Sequence, residues 1–110
     1  MAPAYYDSDL AERVFHSLPA VDQMEVMTFG ASFHRLNLEK KLERAQAKIQ
    51  AMEARYGVTL DRLELQGLPD DADYAMHEDF VEWRYWQRVA RETQKAIDAL
   101  SVFALTLGPS

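Results

Sequence analysis

Catalysis by a side-chain nucleophile needs an activated Ser, Cys, Thr or Lys beside a base. This chain has no cysteine, and it has no Gly-x-Ser-x-Gly turn to present a serine. The glycine-rich loops that cradle phosphates ahead of a helix are missing too. Its three histidines are His16, His34 and His77. None falls in the His-Glu-x-x-His spacing that sets two zinc ligands on one helical face. No arginine is followed, after four intervening residues, by a histidine, so the pattern of a large class of helical RNases is also absent. His77-Glu78-Asp79 offers a nitrogen and carboxylate oxygens, but consecutive helical residues diverge by about 100° and do not converge on one ion. A helix N-terminus, favoured by acids through the macrodipole, is the simpler account of this run. His16 and His34 read as ordinary surface or boundary histidines. The expectation is therefore a non-enzymatic protein with no cofactor and no metal.

Two clusters remain that could bind. Lys40, Arg44 and Lys48, with Lys41 alongside, are spaced i, i+4, i+8 and could contact phosphates. A solvated helix face is the favoured reading of that row, because no helix-turn-helix signal and no basic arm accompany it. The second cluster is acidic and aromatic. Residues 70–82 hold Asp70, Asp71, Asp73, Glu78, Asp79 and Glu82 with no Lys or Arg, and Tyr74, Phe80, Trp83, Tyr85 and Trp86 lie within or beside them. Phe80, Trp83 and Trp86 share a helical face and fit a core. Aromatics also anchor interfaces, and surrounding acids would orient a basic partner.

These groups must be positioned by a small domain. The chain has 110 residues, 48% hydrophobic and 27% charged, with a formal net charge of −6. That is a soluble, globular composition able to bury a modest core. Without cysteine, nothing points to an oxidising compartment. No apolar run reaches the roughly 20 residues of a membrane span, and the first residues lack the basic and apolar regions of a signal peptide. A cytoplasmic protein with no membrane association is expected. Four glycines and four prolines are too few to punctuate many short strands.

The spacing predicts an all-α single domain over residues 1–110. A short helix over about Asp9–Ser17 is followed by a break at Pro19, with Asp7, Ser8 and Asp9 offering N-cap oxygens. Residues 21–57 read as a long helix or helix pair, with a short strand over Glu25–Phe29 as the alternative. Within it, Val26, Phe29, Phe33 and Leu36 form one stripe, while Leu38, Leu42, Ala45, Ile49, Met52 and Tyr56 form a heptad-like seam on another side. Either the helix breaks near Asn37 or one long helix meets neighbours on two sides, the second of which suits a homodimer. Gly57 fits a left-handed C-terminal cap. Residues 58–77 read as a short helix, Leu60–Gln66, capped by Thr59, with Leu65 a candidate to turn inward, and then an acidic loop. Residues 78–105 read as a final helix, with Trp83, Trp86, Ala90, Thr93, Ile97, Leu100 and Ala104 as its seam and Gly108-Pro109 as its stop. The two long helices are expected to pack antiparallel in a small bundle.

The run Ala51-Met52-Glu53-Ala54-Arg55-Tyr56-Gly57-Val58-Thr59-Leu60-Asp61-Arg62-Leu63, followed by His77-Glu78-Asp79-Phe80-Val81-Glu82-Trp83-Arg84-Tyr85-Trp86, resembles a group of small prokaryotic proteins. In that group a helix ends in a Lys/Arg-Tyr-Gly step, and a spacer leads to a His-Glu-Asp-Tyr-x-Glu-Trp motif. Its members are described as antitoxin components of two-gene toxin–antitoxin modules. The resemblance covers about Leu38 to Val89, half the chain. Phe80 stands where the group has Tyr, and Leu63 where Phe is common. The resemblance implies a protein that binds and neutralises a small toxin, commonly an RNase. Such toxins tend to be basic because their substrate is polyanionic. Trp83 and Trp86, with Phe80 beside them, are then expected as apolar anchors. Glu78, Asp79 and Glu82 would pair with toxin Lys or Arg, and Tyr74 and His77 would form the rim. A DNA-binding regulator using Lys40, Lys41, Arg44 and Lys48, or a structural adaptor, is the alternative.

Overall fold

The computed structural model describes residues 8–107, which form four α-helices and no strand. Helix α1 spans Ser8–Ser17, α2 Ala20–Tyr56, α3 Leu60–Gln66 and α4 Tyr74–Thr106. Asp9 lies in the first turn of α1 rather than at its cap, and Asp7 and the Gly108-Pro109 stop fall outside the described residues.

Pro19 separates α1 from α2 as its missing donor and fixed φ require. It sits at φ −55°, ψ 150°, and its carbonyl accepts the first bonds of α2 from the Asp22 and Gln23 amides. Nothing breaks the chain at Gly30 or Asn37. The strand alternative over Glu25–Phe29 gives way to helix, and α2 runs unbroken for 37 residues, about 55 Å at the α-helical rise. Helix propagation explains this: once nucleated, a segment rich in Leu, Glu, Lys, Arg, Gln and Ala adds one bond per residue and absorbs a single glycine. Gly57 ends the helix at φ 68°, its amide donating to the Glu53 carbonyl at 2.8 Å. A side chain at that φ would be strained, so glycine is required there.

Thr59 caps α3 by accepting the Arg62 amide at 3.2 Å. Leu60 and Leu63 point into the core, but Leu65 faces solvent, since a seven-residue helix has room for only one inward pair. The expected acidic loop is shorter than the sequence suggests. Asp73, in extended conformation, accepts the Met76 amide at 2.9 Å and starts α4 at Tyr74 instead of Glu78. An aspartate N-cap supplies the oxygen that the first orphan amides need, so the cap sets the boundary ahead of the acid pair Glu78-Asp79.

Helices α2 and α4 pack together, their buried residues lying between Leu38 and Met52 on α2 and between Trp83 and Ile97 on α4. Contacts between Tyr56 and Asp79 at one level and between Arg44 or Lys48 and Trp86 further along make them antiparallel. Leu38, Ala45 and Met52 of α2 and Trp83, Thr93 and Ile97 of α4 are buried, as the seams predict. The densest part of the core is the end closed by α3, where Met52, Leu60, Leu63 and Trp83 meet. The molecule is long. Its radius of gyration is 20.6 Å, against about 13 Å for a compact domain of this size. Helix α1 buries no residue, and the Gln23 side chain ties its end to α2 by donating to the Leu18 and His16 carbonyls at 2.9 and 3.2 Å.

Candidate functional site

The predicted binding residues fall on one turn-rich end of the hairpin, and the structure divides them into three groups. Trp83 belongs to the first. Its ring is fully buried, stacked on Tyr56 with centroids 6.0 Å apart and planes 19° from parallel. Its expected role as a partner anchor is corrected: it is the central core side chain, because the heptad step from Trp83 to Ala90 and Ile97 aims it straight at α2. Its indole N–H is buried without a hydrogen-bond partner among the described residues. Phe80 is half-buried against the same core and carries the Arg84 guanidinium 5.7 Å from its ring centroid.

Asp79 forms the second group. The Arg55 guanidinium donates to its Oδ2 at 2.6 Å and the Tyr56 hydroxyl donates to the same oxygen at 2.5 Å. The Tyr56 hydroxyl first, and then Arg55, hold the Asp79 carboxyl below the usual carboxylate range. In return, the bond to Asp79 pushes the Tyr56 phenol up, and the same carboxylate raises Arg55 further. Asp79 is thus spent inside the protomer, tying the last turn of α2 to the first turns of α4. The expected contact of Asp79 with a partner's basic residue therefore competes with a contact inside the protomer. The sequence holds both halves of this cluster, the Arg55-Tyr56-Gly57 step and Asp79, but their 23-residue separation hides the contact.

The third group lies on the exposed side of α4, where Arg88 sits 5.8 Å from the Tyr85 ring centroid. Tyr74, Glu78, Val81 and Tyr85 are spaced four, three and four apart, so they share one face of α4, opposite Trp83. All four are exposed, with Tyr74 at 79%, Val81 at 67% and Tyr85 at 48%. A hydrogen bond to Glu78 raises the Tyr74 phenol pKa. Glu82 lies at the edge of this strip and accepts the Trp86 indole N–H at 3.3 Å. His77 is exposed one turn from Tyr74. Val81 and Tyr85 were not expected as anchors. The signal that finds them is their spacing from Tyr74, which places them opposite the Trp83 seam.

Trp86 is half-buried beside the strip. Arg44 and Lys48 lie 5.7 and 6.0 Å from its ring centroid, and Tyr85 meets it edge-on at 5.0 Å. The basic row on α2 therefore does not stand as one free line. Arg44 and Lys48 cover Trp86, while Lys40 and Lys41 are exposed and touch no aromatic ring among the described residues. An open groove of about 1000 Å³ runs among α2, α3 and α4: Val81 and Tyr85 of the strip line it together with Leu42, Gln46 and Ile49 of α2, and Arg84, Arg88 and Arg91 lie in it near Asp61 and Glu64. Arg84 reaches Glu64 at 3.6 Å.

Among the described residues, no group of three or more His, Asp or Glu could hold a metal ion, and no helix is long and apolar enough to cross a membrane. Comparison with protein-family models, with curated proteins and with solved structures gives no match for this chain.

Proposed function

We propose that this chain is a non-enzymatic, protein-binding inhibitor, an antitoxin that neutralises a small basic toxin and acts as a homodimer. The observation that carries this reading is the outer strip of α4. Tyr74, Val81 and Tyr85 provide exposed apolar and aromatic surface on a rigid helix, and Glu78 and Glu82 set carboxylates among them. Aromatic anchors with few rotatable bonds give contact area at low entropic cost, and adjacent carboxylates orient a cationic partner and speed its encounter. Asp70, Asp71 and Asp73 extend the negative potential just ahead of the helix. Strip and acids together match a basic RNase surface better than they match nucleic acid, which like charge would repel.

Coexpression with the product of the neighbouring gene tests the reading. Val81→Asp combined with Tyr85→Ala should abolish both copurification and rescue of growth. Helicity and melting temperature should stay unchanged, because exposed sites are usually worth within about 0.5 kcal/mol. Copurification and rescue that survive the double substitution would overturn it. Trp83→Ala is the contrasting variant: it should cost about 3–5 kcal/mol of stability and lose binding only through unfolding.

A further inference from the structure

The stripe Val26, Phe29, Phe33 and Leu36 has no partner in the protomer. These side chains are 51%, 74%, 69% and 52% exposed, and at 100° per residue their mean direction lies about 160° from the seam that meets α4. Soluble chains rarely expose an apolar row of this kind unless something covers it. Extended by one step at each end, the row reads Asp22, Val26, Phe29, Phe33, Leu36, Lys40, with steps of four, three, four, three and four. It is a palindrome in chemistry as well as spacing: acid, aliphatic, phenyl, phenyl, aliphatic, base.

We propose that this face is covered by a second copy of the chain, with the two α2 helices crossing antiparallel about a twofold axis near Ala31. A twofold interface requires reciprocity: if one residue meets a second on the partner, that second residue meets the first. The antiparallel register satisfies this along the whole row. Phe29 packs on the partner's Phe33, Val26 on the partner's Leu36, and Asp22 pairs with the partner's Lys40. Alternating steps of three and four keep these knobs on one line, as in a two-stranded coiled coil. Three further observations fit. Neither Asp22 nor Lys40 makes an ion pair within the protomer among the described residues. Glu39, which flanks the row and approaches the partner's Glu25, is already held by Arg35 at 3.2 Å. Gly30, which costs about 1 kcal/mol relative to alanine within a helix, has nothing within 4 Å of where a Cβ would stand. The protomer gives no reason for that glycine, whereas close approach of another helix beside the crossing point does. A parallel pair is disfavoured, because it would set Asp22 against Asp22 and Lys40 against Lys40.

This register rests on the homodimeric reading above, and the two fail differently. Sedimentation of the full chain at micromolar concentration should give a dimer. Phe33→Glu should give a helical monomer. Lys40→Glu should weaken the dimer by about tenfold or more, and adding Asp22→Lys should restore it. The chain has no cysteine, so oxidation reports the register directly. Asp22→Cys with Lys40→Cys should cross-link two chains, whereas Asp22→Cys alone should not, since residues 22 and 40 lie about 27 Å apart along the helix. A wild-type monomer overturns both the dimer and the register. A dimer indifferent to Phe33→Glu, or one cross-linked through Asp22→Cys alone, keeps the dimer and overturns the register. A monomer whose capture of the neighbouring-gene product is lost on Phe33→Glu gives the stripe to that protein and also overturns the proposal.

Discussion

Asp79 shows how one residue's role is decided by what reaches it. As a carboxylate near the start of α4 it looks like a group to offer a partner, yet Arg55 and Tyr56 both donate to the same oxygen. The pH consequence follows from the sign of the shift. The folded-state pKa lies below the unfolded value, so the stabilisation is present above about pH 4. It is lost as the pH falls through the depressed pKa. Tyr56 acts at the other end of the scale. Its raised pKa makes its contribution complete below about pH 10, and it fades as the pH rises through the folded value. Asp79→Asn should therefore flatten the acid limb of a stability–pH curve measured by urea unfolding, while leaving the curve near pH 7 lower throughout. An acid limb identical to that of the parent chain would assign the contact no part in stability.

At the scale of elements, the caps fix where each helix begins and ends. Gly57 at φ 68° turns the chain out of α2, and Thr59 restarts it two residues later. This tight sequence delivers Leu60 and Leu63 to Met52 and Trp83. Gly57→Ala should cost about 1–2 kcal/mol, because an L-residue must enter the left-handed region. The effect should appear in urea midpoints with little change in slope. Helix α1 is the opposite case. It is strongly amphipathic in pattern, yet it buries nothing, so its place depends on the Gln23 bonds and on what the α2 stripe meets.

The whole molecule is an extended hairpin whose stability is unevenly distributed. The buried cluster sits at the α3 end, while beyond Leu38 the N-terminal half of α2 carries no buried residue. Local opening is cheapest where few apolar contacts must be broken. Hydrogen exchange should accordingly be slowest around Met52 and Trp83 and fastest in α1 and the first turns of α2. Protection over Val26–Leu36 should rise with protein concentration, as association requires. Uniform protection along α2 in dilute solution would mean that the protomer holds this half by itself.

The sequence by itself determined the order of the helices, because their signals are local, although it placed the start of α4 at Glu78 where the Asp73 cap places it at Tyr74. Pro19, Thr59 and Gly57 act within one turn, and the steps of three and four among Leu38–Tyr56 and Trp83–Ile97 settle which faces must meet. Whether the chain breaks near Asn37 or one helix carries apolar residues on two sides the sequence left open, and the unbroken α2 decides for the second. The tertiary structure decided which aromatic is core and which is surface. Trp83, Trp86 and Tyr85 all sit in one acidic, aromatic run, and only the direction of α4 relative to α2 buries the first, half-covers the second with Arg44 and Lys48, and leaves the third outside. It likewise decided that Asp79 is spent on Arg55 and Tyr56. Side-chain type and local period specify a helix and its apolar face, but the distance between groups on different helices exists only once those helices have packed.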